Sequence, residues 1–259
     1  MDNPKSKVSI VTGAGSGIGR AISLRLANEG FIVVVVDINR ASGIETVRQI
    51  QNLGQRAEFC FADMSNESDV RKMIAFTVQQ FNGFDILVNN AGIAPEPYYP
   101  SAKPTHWSRT IKVNLIGTML AIHFGIDVLA SRRGGSIVNI SSMAGFDYRP
   151  YTSPEYAASK AAVIRLTTAL ANLNDELGIR INCICPGWVE TEEVKHYVKE
   201  TPSEILKKES FPPPEKLIKP ADIADLVVLL SKDESLSGRI IVWPDGEPWR
   251  LLPSDYRPF

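Results

Sequence analysis

Only three cysteines occur in 259 residues, an odd number with no metal-ligand spacing, so neither a disulfide framework nor a zinc site is expected. Cys60, Cys183 and Cys185 sit inside apolar, strand-like runs and read as buried thiols. The three histidines, His106, His123 and His196, join no recognisable constellation. Basic charge has no surplus: 28 Lys plus Arg stand against 29 Asp plus Glu, for a formal charge of −1. Nucleic acid and anionic membrane surfaces are therefore not expected partners. The longest uninterrupted apolar run is Phe31 to Val36, far short of the roughly 20 residues of a spanning helix. The opening MDNPKSK lacks the apolar stretch of a signal peptide, so the expected location is cytoplasmic, without a membrane role.

What is present is an alternation. Short β-branched runs at Val8 to Thr12, Phe31 to Asp37, Ala57 to Phe61, Phe84 to Asn89, Gly135 to Ser141, Ile179 to Cys185 and Arg239 to Val242 are separated by segments of helical period. The helices are expected at Gly17 to Glu29, Ala41 to Leu53, Glu67 to Phe81, Pro104 to Ser131, Pro154 to Leu177 and Ala221 to Leu230. Strands that are apolar nearly throughout, spaced by helices, predict an α/β fold with a parallel sheet covered on both faces. No linker or repeat divides residues 1–259, which read as one domain. The stretch Thr191 to Pro220 breaks the rhythm with charge, Pro202 and the run Pro212-Pro213-Pro214, and is expected to be an insertion or substrate lid.

The first strand runs into Thr12-Gly13-Ala14-Gly15-Ser16-Gly17-Ile18-Gly19 and then a helix. Glycines there let the backbone turn tightly against a pyrophosphate, while the helix N-terminus aims free N–H groups at it. The second strand ends in Asp37, where a carboxylate can accept hydrogen bonds from adenosine ribose hydroxyls and would repel a 2′-phosphate. Neither Ser16 nor Ile38 is basic, and Arg40 is the nearest cation. The expected cofactor is NAD(H) rather than NADP(H).

The spacing Thr-Gly-x-x-x-Gly-x-Gly resembles that of the short-chain dehydrogenase/reductase family, and further motifs follow in the family's order. Asp63, with Met64 beside it, matches the adenine-contacting aspartate. Asn89-Asn90-Ala91-Gly92 matches the motif bordering the cofactor, and Asn114 the catalytic asparagine. Ser142 matches the catalytic serine, and Tyr156 with Lys160 the Tyr-x-x-x-Lys pair. Pro186-Gly187-Trp188-Val189-Glu190-Thr191 matches the segment that packs on the nicotinamide, with Thr191 near its carboxamide. The resemblance spans Val8 to about Gly246 and implies a single-domain Rossmann fold with a doubly wound, seven-stranded parallel sheet, in a homotetramer or dimer.

The resemblance also implies a reaction, hydride exchange between NAD(H) and a small secondary alcohol or ketone, and the residue types suit it. Tyrosine ionises near pH 10, so Tyr156 needs its phenolate stabilised if it is to act as the acid/base. Lys160, one helical turn away, is expected to supply the charge and, by resemblance, to hold the nicotinamide ribose. Ser142 would join Tyr156 in hydrogen-bonding the substrate oxygen, and Asn114 would anchor a water on the proton path. Ser142 and Tyr156 are separated by 14 positions, one more than is commonest in the family, across a loop rich in aromatics. Phe146, Tyr148 and Tyr151 are expected to line the substrate pocket with Ile93, Ala94 and Trp188. The alternatives are an NADP(H)-dependent 3-oxoacyl thioester reductase of the same family and a non-catalytic nicotinamide-sensing regulator.

Overall fold

Ile32–Asp37 carries β-branched residues at every position before its aspartate, and all five are buried. Val33 and Val35 enter one core cluster, while Ile32, Val34 and Val36 enter another on the opposite face. A one-residue slip would exchange the two sets, and each fully buried valine contributes about 1.5–3 kcal/mol, so the register is firmly held.

The computed structural model describes residues 7–206 and 212–252. Parts of the expected lid, at 207–211, and of the C-terminal tail, at 253–259, lie outside the described residues. In chain order the elements are β1 (Val8–Thr12), α1 (Gly17–Asn28), β2 (Ile32–Asp37), α2 (Arg40–Asn52), β3 (Ala57–Phe61), α3 (Glu67–Phe81) and β4 (Ile86–Asn89). There follow α4 (Pro104–Ile111), a π-helical turn (Lys112–Ile116), α5 (Gly117–Ser131), β5 (Gly135–Ile140), α6 (Met143–Phe146), α7 (Pro154–Ala169) and α8 (Leu173–Leu177). The chain continues through β6 (Ile179–Pro186), α9 (Glu192–Glu200), α10 (Ser203–Leu206), α11 (Pro220–Lys232), β7 (Ile240–Trp243) and β8 (Arg250–Leu252).

The sheet order is β3-β2-β1-β4-β5-β6-β7-β8. All pairings are parallel except β7 with β8. The expected sheet of seven strands thus gains an eighth, antiparallel edge strand; its three residues after Trp249 are too few to show a period. Helices α1 and α11 pack together on one face, α3 and α5 on the other. Strand order reverses between β1 and β4, and the crevice at the carboxyl ends there is where such sheets bind ligands.

The two long helices fare differently. Pro104–Ser131 is a continuous helical rod of 28 residues in which the π-turn is wound into the middle. By length and composition alone it is apolar enough to cross a bilayer (mean hydropathy 1.7), yet Ala121, Ile122 and Leu129 bury it against the sheet core. Pro154 to Leu177 is broken, because α7 ends at Ala169 and α8 begins only at Leu173.

Candidate active site

Gly13 has φ +61°, and a side chain on it would stand 2.9 Å from Ala91 Cα; one on Gly19 would stand 2.1 Å from the Gly13 carbonyl oxygen. The turn therefore closes directly onto α1 and onto the end of β4. Asn90 fixes it, donating its side-chain amide to the Thr12 carbonyl at 2.9 Å and the Gly13 carbonyl at 3.1 Å. The Thr12 hydroxyl accepts the N–H groups of Asn90 and Ala91 at 3.0 and 3.1 Å. Ser16 precedes α1 without making a side-chain cap, which leaves the first N–H groups of the helix for an anion.

Beyond the turn, Gly15 N–H donates to Asp37 Oδ2 at 2.7 Å and Asn39 N–H to Oδ1 at 2.8 Å. Each carboxylate oxygen keeps a lone pair for a hydroxyl donor. Arg40, the cation nearest to Asp37 along the sequence, lies over the Phe59 and Phe61 rings at 5.6 and 6.0 Å, while Arg20 donates to the Gly15 carbonyl. Burial pushes the Asp63 carboxyl up, but the hydroxyl and N–H of Ser65, with Arg109, outweigh it and hold the group below its usual range.

At the other end of the cleft Tyr156 adjoins Ser142, whose Oγ accepts Ala144 N–H at 3.1 Å as the cap of α6. Lys160 is 4 % exposed; its Nζ donates to the Ile140 carbonyl at 2.9 Å and lies 5.6 Å from the Tyr156 ring centroid. Burial lowers its pKa to about 8. Tyr156 departs from expectation: burial pushes its pKa up, against a smaller downward pull from Ser142 and with a further upward push from Glu193. The protein alone therefore keeps the phenol protonated, because both partners are desolvated and the ammonium is turned toward a carbonyl.

Asn114 sits in the π-turn and spends its side chain on structure. Oδ1 accepts Ile93 N–H at 2.8 Å, and Nδ2 donates to the Ile93 carbonyl at 3.0 Å and Ser159 Oγ at 3.1 Å. Its own carbonyl accepts the Thr118 hydroxyl at 3.0 Å. A side chain on Gly92 would stand 3.1 Å from Lys160 Nζ and 3.5 Å from Asn114 Oδ1, so the asparagine adjoins the lysine as a positioning group.

A single cleft of about 940 Å³ joins these ends. Gly13, Ser16, Gly17, Ile18, Asp37, Ile38, Asp63 and Met64 line one part, and Asn90, Ala91, Gly92, Ser142, Tyr156 and Lys160 the centre. Pro186, Gly187, Val189 and Thr191, with Ile93, Ala94, Tyr151 and Trp188, line the remainder. Gly15, Gly19 and Asn114 support the walls from behind. Phe146 and Tyr148 do not line the cleft: α6 carries Phe146 outward, and Tyr148 is 99 % exposed. Both are corrections to the sequence reading, which had no means of telling inward from outward aromatics in an irregular loop.

Three contributors were not singled out by pattern. Glu155, buried beside Tyr156, accepts Tyr99 N–H with both oxygens at 3.3 Å and ties the loop after β4 to α7. Asp245 accepts Trp188 N–H at 2.7 Å, and burial raises its pKa. Tyr197 of α9 stacks on Trp188, ring centroids 6.0 Å apart. A glutamate at the first turn of a helix reads as dipole compensation, so its tether is invisible without the partner loop.

A family model described as short chain dehydrogenase matches residues 7–202, and the chain belongs to that family. An oxidoreductase of Thermotoga maritima is 37% identical over 92% of this chain and 96% of its own length. Cyclohexanol dehydrogenase of an Acinetobacter strain is 33% identical over 89% of each. The structure of a 7α-hydroxysteroid dehydrogenase complexed with NADH and 7-oxo glycochenodeoxycholic acid superposes with TM-score 0.84 at 30% identity, covering 97% of this chain and all of that one (100%). The protein is an oxidoreductase of the type that acts on alcohol and carbonyl groups with a nicotinamide cofactor.

The buried ammonium of Lys160 has a consequence for stability. With its pKa lowered to about 8 from 10.5, the folded state binds fewer protons than the unfolded chain between those values, so stability rises with pH across that window. Compared with Lys160→Met in chemical denaturation, the wild type should gain on the order of 2 kcal/mol between about pH 7 and about pH 10. A difference that does not change with pH would show that the ammonium carries no burial cost.

Proposed function

We propose that the protein transfers a hydride between NAD(H) and a secondary alcohol or its ketone, with Tyr156 as the general acid/base. The observation that carries this reading is that Ser142, Tyr156 and Lys160 line the same cleft as the glycine turn and Asp37. The cradle fits a dinucleotide: an uncapped helix N-terminus for the pyrophosphate, and a carboxylate oriented by two backbone N–H groups for the ribose. Gly13, Ser16, Gly17 and Ile18 would hold the phosphates, Asp37 the ribose, Asp63 and Met64 the adenine, and Asn90, Ala91, Gly92, Pro186, Gly187, Val189 and Thr191 the nicotinamide half.

Bound there, NAD(H) supplies or accepts the hydride. In reduction, the phenol of Tyr156 donates its proton to the oxygen as negative charge develops on it. The Ser142 hydroxyl donates a second hydrogen bond to the same oxygen. In oxidation the carbinol C–H and O–H bonds break, and the hydroxyl proton passes to Tyr156 as the phenol gives up its own proton to solvent by way of Lys160. Lys160, within 5.6 Å of the ring, reprotonates or stabilises the phenol oxygen, with Asn114 fixing the loop at Ile93 beside it.

The carboxylate of Asp37 and the engagement of Arg40 with two aromatic rings support NAD(H) over NADP(H). The stretch 191–220, of which α9 lines the cleft, is proposed as the substrate lid. Exposed Ile116 and Met119 on the rod Pro104–Ser131 support pairing with further copies, as a dimer or tetramer, and the location is proposed as cytoplasmic.

Tyr156→Phe should bind NADH within about 3-fold of wild type, while kcat falls by about 100-fold to 10,000-fold across a panel of alcohols and ketones. Turnover within a few-fold of wild type would refute the assignment. Asp37→Ala should raise KM for NAD(H) by about 10-fold and narrow the preference over NADP(H). A wild-type enzyme that prefers NADP(H) would contradict the role given to Asp37.

A further inference from the structure

The two ends of the cleft differ in charge. Arg109 belongs to the dinucleotide end, ion-paired with Asp63 at 3.4 Å. Around Tyr156 the charged lining groups include Glu96, Glu193, Glu200 and Asp245. Lys160 is buried and engaged by Ile140; His196 is the other basic side chain lining that wall among the described residues, and the charge of Arg149 reaches Asp245 from outside the lining.

Helix α9 holds Glu193 over the cleft. Thr191 Oγ1 caps the helix by accepting Val194 N–H at 3.2 Å, and Tyr197 stacks on Trp188 at an interplanar angle of 12°. Lys195 pairs with Glu190 and Glu192 at 3.6 and 3.3 Å. Among the described residues no cation pairs with Glu193, and its charge reaches the Tyr156 phenol.

An anionic substrate would bring a like charge into this field. From exposed carboxylates the repulsion amounts to about 5-fold in affinity. A cation would be attracted, but Glu96, Glu193 and Glu200 are exposed, and solvated carboxylates hold a cation weakly. Half-buried Tyr98, Tyr151, Trp188 and Tyr197 also line the cleft and offer flat faces for the C–H surfaces of a substrate. The solvated carboxylates at the rim accept hydroxyl hydrogens without needing a counter-charge.

We infer that the cleft selects an uncharged, polyhydroxylated alcohol or its carbonyl counterpart, such as a sugar or polyol, and that Glu193 turns anionic substrates away. This rests on the hydride-transfer reading above. The test is a size-matched panel with NAD⁺ and the purified protein: neutral polyols and aldoses, hydroxy acids and hydroxyacyl thioesters, and amino alcohols. The neutral class should exceed the anionic class in kcat/KM by about 5-fold. That ratio should shrink as ionic strength rises from about 0.05 M to about 1 M. Glu193→Gln should narrow it by about 2-fold through a lower KM for the anion.

Anions turned over as well as neutral alcohols, amino alcohols turned over best, or a ratio moved by neither salt nor Glu193→Gln would overturn the inference while leaving hydride transfer standing. No turnover of any class by protein that still binds NADH would remove the hydride-transfer reading, and this inference with it.

Discussion

Thr12 and Asn90 tie the two halves of the sheet together at the point where strand order reverses. The threonine hydroxyl donates to the Val88 carbonyl at 3.3 Å and accepts two N–H groups from the end of β4, and the asparagine amide returns to two carbonyls of the glycine turn. β1 and β4 are paired up to Val11 and Val88, and beyond that pair it is this knot that fixes the distance of the turn from Gly92 and Lys160. Every functional placement in the cleft depends on that distance. The glycine turn is set by β1, Ser142, Tyr156 and Lys160 by β5 and α7, and the knot is the short path between them.

A second layer of buried polar bonds carries the geometry outward. Asn89 donates to Asn139 and Asn139 to Thr167, linking β4, β5 and α7. Ser141 donates to the carbonyl of Lys160 at 2.7 Å and fixes α7 against β5. Asn114 and Glu155 then suspend the loop after β4 from both sides, one at Ile93 and the other at Tyr99. In a desolvated setting each such bond is costly to break, so the helix carrying Tyr156 and the loop facing it move as one unit.

Much of this was legible in the sequence because the physics is local. The glycine turn follows from spacing alone, Asp37 from its place at a strand end, and α3 begins and ends at Glu67 and Phe81 as its period predicts. What was not legible depends on partners distant in the chain. β8 is three residues that become a strand only by pairing with β7, and the break between α7 and α8 falls at Leu170 to Asn172 with no glycine or proline to announce it. The outward turn of Tyr148, the tether of Glu155 and the upward push on Tyr156 all come from burial or its absence, which a linear pattern does not encode. The tyrosine–lysine pair was read as charge stabilising phenolate; in the folded chain, desolvation of both groups dominates.

The central claim is that one cleft delivers a hydride and a proton to the two ends of the same carbonyl bond. The most direct measurement uses NADH dideuterated at nicotinamide C-4 with a carbonyl substrate that the enzyme reduces, followed by mass spectrometry and NMR of the product. The account predicts a single deuteron on the carbinol carbon and a solvent proton on the oxygen. A product without deuterium on carbon, or deuterium released to water, would contradict it.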